Sequence, residues 1–372
     1  MSKASKTHGS SKKKFESRLT LRDFEKAAKK LLPKMARDYY RSGADDERAL
    51  RRNVEAFSEY VVWYRVLVDV SERDLSTSVM GIDVSMPVLV APTAYHRMAH
   101  DDGEIGTARA AAAEGTIYVA STLATTRLEE IADAVASPKW FQLYVHKDRG
   151  FTKELVERAE TAGYEAIVLT VDTPLLGRRV RDERNGFALP EGLTMANLET
   201  SAEDHESGSL LSSYMKSRHD AALGWSDLEW LRSLSHLPLV LKGIVRADDA
   251  RRAVDAGARA IVVSNHGGRQ FDLAPATLHA LPGVVDAVGD RAEVYLDGGV
   301  RSGNDVLIAL GLGARAVFIG RPVLWGLAVE GESGVRQVLS ILREELSLGM
   351  ALAGMSSVKN IDRAAFTRAP RL

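Results

Sequence analysis

The strongest constraint on this chain is a rhythm. From residue 88 onward, short apolar runs rich in Val and Ile alternate with longer segments rich in Ala and charge, and the runs number eight. They fall at residues 88–91, 117–120, 141–145, 167–171, 239–241, 261–263, 294–296 and 317–319. Helical spacing appears between them at 104–113, 128–135, 152–162, 248–256 and 304–312. Glu114-Gly115, Ala162-Gly163, Ala256-Gly257 and Leu312-Gly313 mark the returns, where glycine can end a helix in the left-handed conformation at little cost. Strands apolar on both faces need cover on both faces, and a helix after each strand makes the strands parallel. Eight such units predict an α/β fold closed into a (β/α)8 TIM barrel, with a doubly wound open sheet as the competing arrangement. The 372 residues, 45% of them hydrophobic, supply a core of that size with segments to spare.

Two regions depart from the rhythm. Residues 17–62 read as a helical extension, interrupted at Pro33 and again at Ser42-Gly43. Between the fourth and fifth runs lie far more residues than one helix needs. The polar stretch 183–224, which includes Glu203-Asp204-His205-Glu206, is expected as a partly disordered lid over the barrel mouth. Residues 1–16, rich in Ser and Lys, read as a disordered solvated tail, with a polyanion-binding arm as the sharper alternative. Residues 17–372 then form a single domain.

Composition excludes several classes. A formal net charge of -1 gives no reason to expect nucleic acid as a partner. The absence of Cys removes disulfides, thiolate nucleophiles and Cys-based metal sites, and no metal centre is expected. It also fits a cytoplasmic location. No stretch approaches a membrane span, and the N-terminus lacks the apolar core of a secretory signal. Pro370-Arg371-Leu372 is only loosely similar to a peroxisomal address.

Barrel enzymes place chemistry at the C-terminal ends of their strands. Polar residues fall there in every unit: Pro92-Thr93-Ala94, Ser121-Thr122, Gln142 with Tyr144, Thr170 with Asp172, Lys242, Ser264-Asn265-His266-Gly267-Gly268-Arg269-Gln270, Asp297-Gly298-Gly299-Val300-Arg301 and Gly320-Arg321. Each alone has a plain structural explanation, such as a helix cap or a surface lysine. Their convergence on one face does not. The last two are glycine turns paired with arginine. Glycine lets backbone N–H groups approach a phosphate and arginine adds charge-assisted bonds, so a phosphorylated ligand is expected after strands seven and eight. His266 beside Arg269 suits a substrate that yields a proton and carries a carboxylate, with Asp172 across the barrel to stabilise the imidazolium.

From about Leu21 to Gly354 the chain resembles the FMN-dependent L-2-hydroxy acid oxidase and dehydrogenase family. The heptapeptide at Ser264–Gln270 carries most of the likeness. Leu32-Pro33-Lys34-Met35, Asp38-Tyr39-Tyr40, Ala91-Pro92-Thr93-Ala94, Trp140-Phe141-Gln142-Leu143-Tyr144-Val145, Leu169-Thr170-Val171-Asp172-Thr173-Pro174 and Gly177-Arg178-Arg179 support it. The resemblance implies FMN as cofactor and oxidation of an L-2-hydroxy acid to a 2-keto acid, with O2 or another electron acceptor. His266 would take either the α-hydrogen as a proton or the hydroxyl proton during hydride transfer, paired with Asp172. Arg269 and Tyr39 would bind the carboxylate with help from Arg179, and Tyr144 would reach the substrate hydroxyl. Lys242 would face the flavin N1–C2=O edge and favour the anionic reduced form. Pro92, Thr93 and Ala94 would line the N5 side. Ser121, Gln142 and Thr170 would bind the isoalloxazine, with Ser264 a further contact. Asp297 would hold the ribityl chain, and Gly299, Arg301, Gly320 and Arg321 the phosphate. A homo-oligomer, tetramer or octamer, is implied by analogy, and no fused haem module.

Two positions depart from relatives. Leu123 stands where glycolate oxidases have Trp and lactate oxidases Tyr, which implies a roomier, less polar pocket and a substrate such as lactate, a branched acid or mandelate. Ala94, where dehydrogenase-like relatives often have Gly, leans towards an oxidase. The alternatives are a family dehydrogenase using a quinone, another FMN barrel such as an isomerase, a flavin-binding protein without turnover, and a flavin-free sugar-phosphate barrel.

Overall fold

All eight apolar runs form strands: β1 (Val88–Val90), β2 (Tyr118–Ser121), β3 (Lys139–Leu143), β4 (Ile167–Thr170), β5 (Leu239–Ile244), β6 (Ala260–Val263), β7 (Glu293–Asp297) and β8 (Ala316–Ile319). The structure, a computed structural model, describes residues 18–198 and 216–369. Neighbouring strands are parallel, and β8 pairs with β1 through Val317 and Val88, so the sheet closes on itself. The barrel, not the open sheet, is the fold.

Alternation along each strand sorts the core in two. Leu89, Val119, Trp140, Val168, Val240, Val262, Tyr295 and Phe318 fill the lumen as one buried cluster. Their neighbours, such as Val88, Val90, Phe141, Leu169 and Leu241, pack outward into the larger cluster shared with the helices. An antiparallel hairpin, Thr77–Val79 with Ile82–Val84, packs Val79 and Val84 against the lumen cluster. With the lumen filled, the open mouth is where a ligand has room.

The helical extension comprises α1 (Leu21–Leu31), α2 (Lys34–Arg41) and α3 (Arg48–Glu55). Around the barrel follow α4 (Gly103–Ala113), α5 (Leu128–Ala134), α6 (Arg149–Thr161), a short α7 (Val180–Asn185), α8 (Asp227–Ser233), α9 (Ala247–Asp255), α10 (Thr277–Val288), α11 (Gly303–Gly311) and α12 (Arg321–Ala353). The helical expectation fails at its end. Tyr60–Val62 is a strand, antiparallel to Phe366–Arg368. Its partner lies some three hundred positions away, so no local periodicity could announce it. The long α12 is two helices across a break at Glu330 and Gly331; Gly331 has φ 57°, and Asp102 accepts from the Glu332 amide at 2.8 Å, capping the second part.

Within the expected lid, α7 is helical and Phe187, Met195 and Leu198 are buried. Phe187 stacks on Tyr39 with ring centroids 4.4 Å apart, and the Asn197 side chain accepts from the Leu128 amide at 2.8 Å. Residues 199–215, the 1–16 tail and residues 370–372 lie outside the described residues.

Candidate active site

The mouth of the barrel opens into a cavity of about 1090 Å³, part of it continuous with solvent. Its walls include Tyr39, Pro92, Thr93, Ala94, Ser121, Leu123, Gln142, Tyr144, Thr170, Arg179, Lys242, His266, Arg269, Asp297, Gly299, Arg301, Gly320 and Arg321. Two expected residues stand behind the wall. Asp172 lies against His266, and Ser264 lies beneath it. The walls also include Tyr40, Thr173, Gly267 and Val300, named in sequence only inside motifs and given no role, and Leu176 and Leu324, which sequence reasoning missed. Tyr40 and Thr173 neighbour residues already singled out. Leu176, Val300 and Leu324 are ordinary apolar positions with no chemical signal.

The strand end after β6 explains how an imidazole reaches the cavity. His266, Gly267 and Gly268 have φ of 59°, 60° and 76°, a run of left-handed backbone. A Cβ on Gly268 would sit 2.5 Å from the Leu50 amide nitrogen of α3, so the turn seats directly on that helix. Asn265 holds the turn. Its Oδ1 accepts from the Gly268 amide at 3.0 Å and from Asn53 at 2.8 Å, and its Nδ2 donates to Asn53 and to the Pro275 carbonyl. His266 Nδ1 is 2.9 Å from Asp172 Oδ1, and the same carboxylate oxygen accepts from the Thr173 hydroxyl at 3.0 Å. A carboxylate partner makes Nδ1 the protonated nitrogen and leaves Nε2 with a lone pair. Burial lowers the His266 pKa below its usual value, against the opposing pull of Asp172. Burial alone would raise that of Asp172, but the charges of His266 and Lys242 win and lower it.

Lys242, only 5% exposed, sits deeper. Its Nζ is 3.1 Å from Ser264 Oγ and 3.3 Å from Asp297 Oδ2, and Ser264 donates to that oxygen at 2.8 Å. Burial works against its charge, but Asp297 and Asp172 prevail and its pKa is raised. Asp297 Oδ1 is buried without a hydrogen-bond partner, an orphaned acceptor at the cavity wall. Across three adjacent strands, Ser121 donates to Gln142 Oε1 at 3.1 Å and Gln142 Nε2 donates to Thr170 Oγ1 at 3.1 Å, which orients the amide. Burial pushes the Tyr144 hydroxyl up to about 12, so it stays a donor at neutral pH.

The rest of the wall is cationic. Arg269 lies over the Tyr39 ring at 4.8 Å and donates to the backbone carbonyls of Tyr39 (2.5 Å) and Ser42 (3.0 Å). Burial and the neighbouring Arg179 push its pKa down to about 10. Arg321 donates to the carbonyls of Tyr40, Gly267 and Ser42 at 2.9, 3.0 and 3.0 Å, stitching α2 to the His266 turn. Burial, Arg269 and Arg301 lower its pKa strongly. Among the described residues, no carboxylate forms an ion pair with Arg179, Arg269, Arg301 or Arg321. Gly298 and Gly299, at φ 92° and 88°, bring backbone up to this cluster, and a Cβ on Gly299 would fall 1.9 Å from the Asn53 carbonyl oxygen. Such a cluster is complete only with anions. A carboxylate suits Arg269 beside Tyr39, and a phosphate suits the glycine turns with Arg301 and Arg321. The orphaned Asp297 oxygen and the locked Gln142 amide suit a polar chain and a ring edge between them.

A parallel barrel whose mouth gathers a carboxylate-held imidazole, a buried lysine and arginines without carboxylate partners among the described residues fits a cofactor-dependent barrel enzyme acting on a small acid. The chain belongs to the FMN-dependent dehydrogenase family, which residues 28–368 match. It is 54% identical over 352 residues to an L-lactate oxidase from Nostoc sp., covering 92% of this chain and 96% of that protein. It is 51% identical over 359 residues to human 2-hydroxyacid oxidase 1, covering 95% and 97%. A crystal structure of a mandelate oxidase with (S)-4-hydroxymandelic acid superposes at a TM-score of 0.91 with 44% identity, covering 95% of this chain and all of that one. The cofactor is FMN, and the reaction is oxidation of a 2-hydroxy acid to a 2-keto acid.

Proposed function

We propose that this chain oxidises an L-2-hydroxy acid larger than glycolate, with O2 as electron acceptor and H2O2 as product. The carrying observation is the His266–Asp172 pair. Nδ1 is held by the carboxylate, so Nε2 keeps the lone pair of a base, on a residue that lines the cavity. Arg269, Tyr39 and Arg179 bind the substrate carboxylate, which places the α-carbon and hydroxyl between His266 and Tyr144. Tyr144, protonated at neutral pH, donates to the hydroxyl oxygen. His266 takes the proton that leaves the substrate and Asp172 stabilises the imidazolium. Bound FMN supplies the two-electron acceptor. Lys242 would keep a fixed positive charge beside the ring, with Pro92, Thr93 and Ala94 lining the side of its N5. Ser121, Gln142 and Thr170 would hold the ring, Asp297 and Ser264 the chain, and Gly299, Arg301, Gly320 and Arg321 the phosphate.

Leu123 supports the larger substrate. It is 5% exposed, lines the cavity and offers no polar handle. No helix among the described residues is long and apolar enough to cross a membrane, and a cytoplasmic location is the simplest reading. A tetramer or octamer would cover the exposed Trp63, Tyr64, Val66 and Leu67, a segment tied to the end of α12 by the Arg65 amide and the Ala353 carbonyl. The second reading, a dehydrogenase passing electrons to a quinone or another carrier, differs only in the acceptor.

The test is anaerobic stopped-flow reduction of the yellow protein with glycolate, L-lactate and L-mandelate, then reoxidation with O2. Faster reduction by the larger acids and rapid reoxidation are expected. A preference for glycolate removes the substrate assignment, and sluggish reoxidation moves the chain to the dehydrogenase reading.

A further inference from the structure

Beneath the loop after β1 lies a buried polar cluster to which the reaction above assigns no task. His96, Glu104 and Thr107 are all fully buried. His96 Nε2 is 2.5 Å from Thr93 Oγ1, and His96 Nδ1 is 2.9 Å from Thr107 Oγ1. Thr107 Oγ1 in turn donates to the Gly103 carbonyl at 3.1 Å. Glu104 anchors the assembly, accepting from the His96 amide at 3.0 Å and from the hydroxyls of Thr125 and Thr126 at 2.8 Å each. Thr93 is the one member that lines the cavity.

The protons in this chain can be counted. A carbonyl can only accept, so the Thr107 hydroxyl spends its proton on Gly103. Its oxygen then accepts from His96, which puts the ring proton on Nδ1. Nε2 is therefore bare and accepts from the Thr93 hydroxyl. Only this assignment makes all three contacts hydrogen bonds. Burial lowers the His96 pKa despite nearby Glu104 and a ring contact to the Thr93 backbone, in keeping with a neutral ring. The Thr93 hydroxyl thus has its proton turned inward, and its oxygen keeps only lone pairs for any further partner.

We propose that His96 is a positioning residue that fixes Thr93 as a one-way hydrogen-bond acceptor, so that the loop after β1 favours reduced over oxidised FMN. The inference rests on the placement of the flavin N5 side along Pro92–Ala94. N5 of oxidised flavin is an acceptor. When FMN takes two electrons from the hydroxy acid and one proton at N5, that atom becomes a donor. A lone pair on Thr93 matches the donor and repels the acceptor, which raises the reduction potential and strengthens the enzyme as an oxidant. A Thr93 free to turn its proton outward would do the reverse.

The experiment is the midpoint potential of the FMN-loaded protein, read spectroscopically against reference dyes. Thr93→Val, close in shape, removes the acceptor and is expected to shift the reduced-to-oxidised ratio about tenfold, a fall of ~30 mV for a two-electron couple. His96→Leu frees the Thr93 proton and should lower the potential in the same direction. His96→Gln restores it, since its carbonyl accepts from Thr93 and its amide donates to Thr107. An unchanged or raised potential in Thr93→Val overturns the proposal, whatever the folding of the His96 variants. Lys242→Met separates the proposal from the placement beneath it. If that variant shifts the potential while Thr93→Val is silent, only the Thr93 assignment falls. If Lys242→Met leaves the potential unmoved, the placement of the ring falls instead.

Discussion

At the scale of single residues, His266 combines two costs. It sits in left-handed backbone, rare for a side chain with a Cβ, and its half-buried imidazole lies in a cationic cleft. Both are tolerated because Asn265 and Asp172 hold it from two sides. A base, the role proposed for His266, works in its neutral form, so kcat/KM should rise with pH through the imidazole pKa. Burial and the positive charge of Lys242 and Arg179 place that acid limb below pH 6.5, the ordinary value. Asp172 opposes this by raising the imidazole pKa. Asp172→Asn should therefore move the limb to lower pH and cut flavin reduction by roughly 10²- to 10⁴-fold. A pH profile that drops in height without moving would leave Asp172 as a mere orienter of the ring. The placement of His266 and Arg269 at the barrel mouth was legible in sequence because residue types and order carry it. His96 was not, since its meaning depends on Thr93 and Thr107 folding against both ring nitrogens.

At the scale of elements, the eight strands were legible because burial on both faces writes continuous apolar runs. The ends that join distant segments were not. Tyr60–Val62 is a strand only because Phe366–Arg368 lies beside it, and the same residues, read alone, continue a helical region. The break in α12 was equally silent, for it needs Asp102 from another helix start. The loop after β7 allows a sharper forecast. Gly299→Ala must hold a left-handed φ, at about 1–2 kcal/mol, and must also push the Asn53 carbonyl aside. The purified variant should melt earlier and bind FMN poorly. A variant with normal melting and full flavin content would remove the close approach as a constraint on the phosphate loop.

At the scale of the whole molecule, the cleft is assembled from Tyr39 on α2 through Arg321 at the start of α12, so no contiguous stretch of chain contains it. Arg269 and Arg321 at its mouth have pKa values lowered by burial and by neighbouring guanidiniums, and no carboxylate pairs with them among the described residues. Before its cofactor arrives, the protein is therefore a small anion exchanger. Its choice of buffer is part of its chemistry: phosphate or sulfate at high concentration should compete with FMN for the apoprotein and with hydroxy acids for the holoenzyme, and slow reconstitution in a way that chloride at equal ionic strength does not. Titrating flavin uptake in matched electrolytes would reveal it, and identical uptake in all of them would show that the arginines are already satisfied by their own backbone.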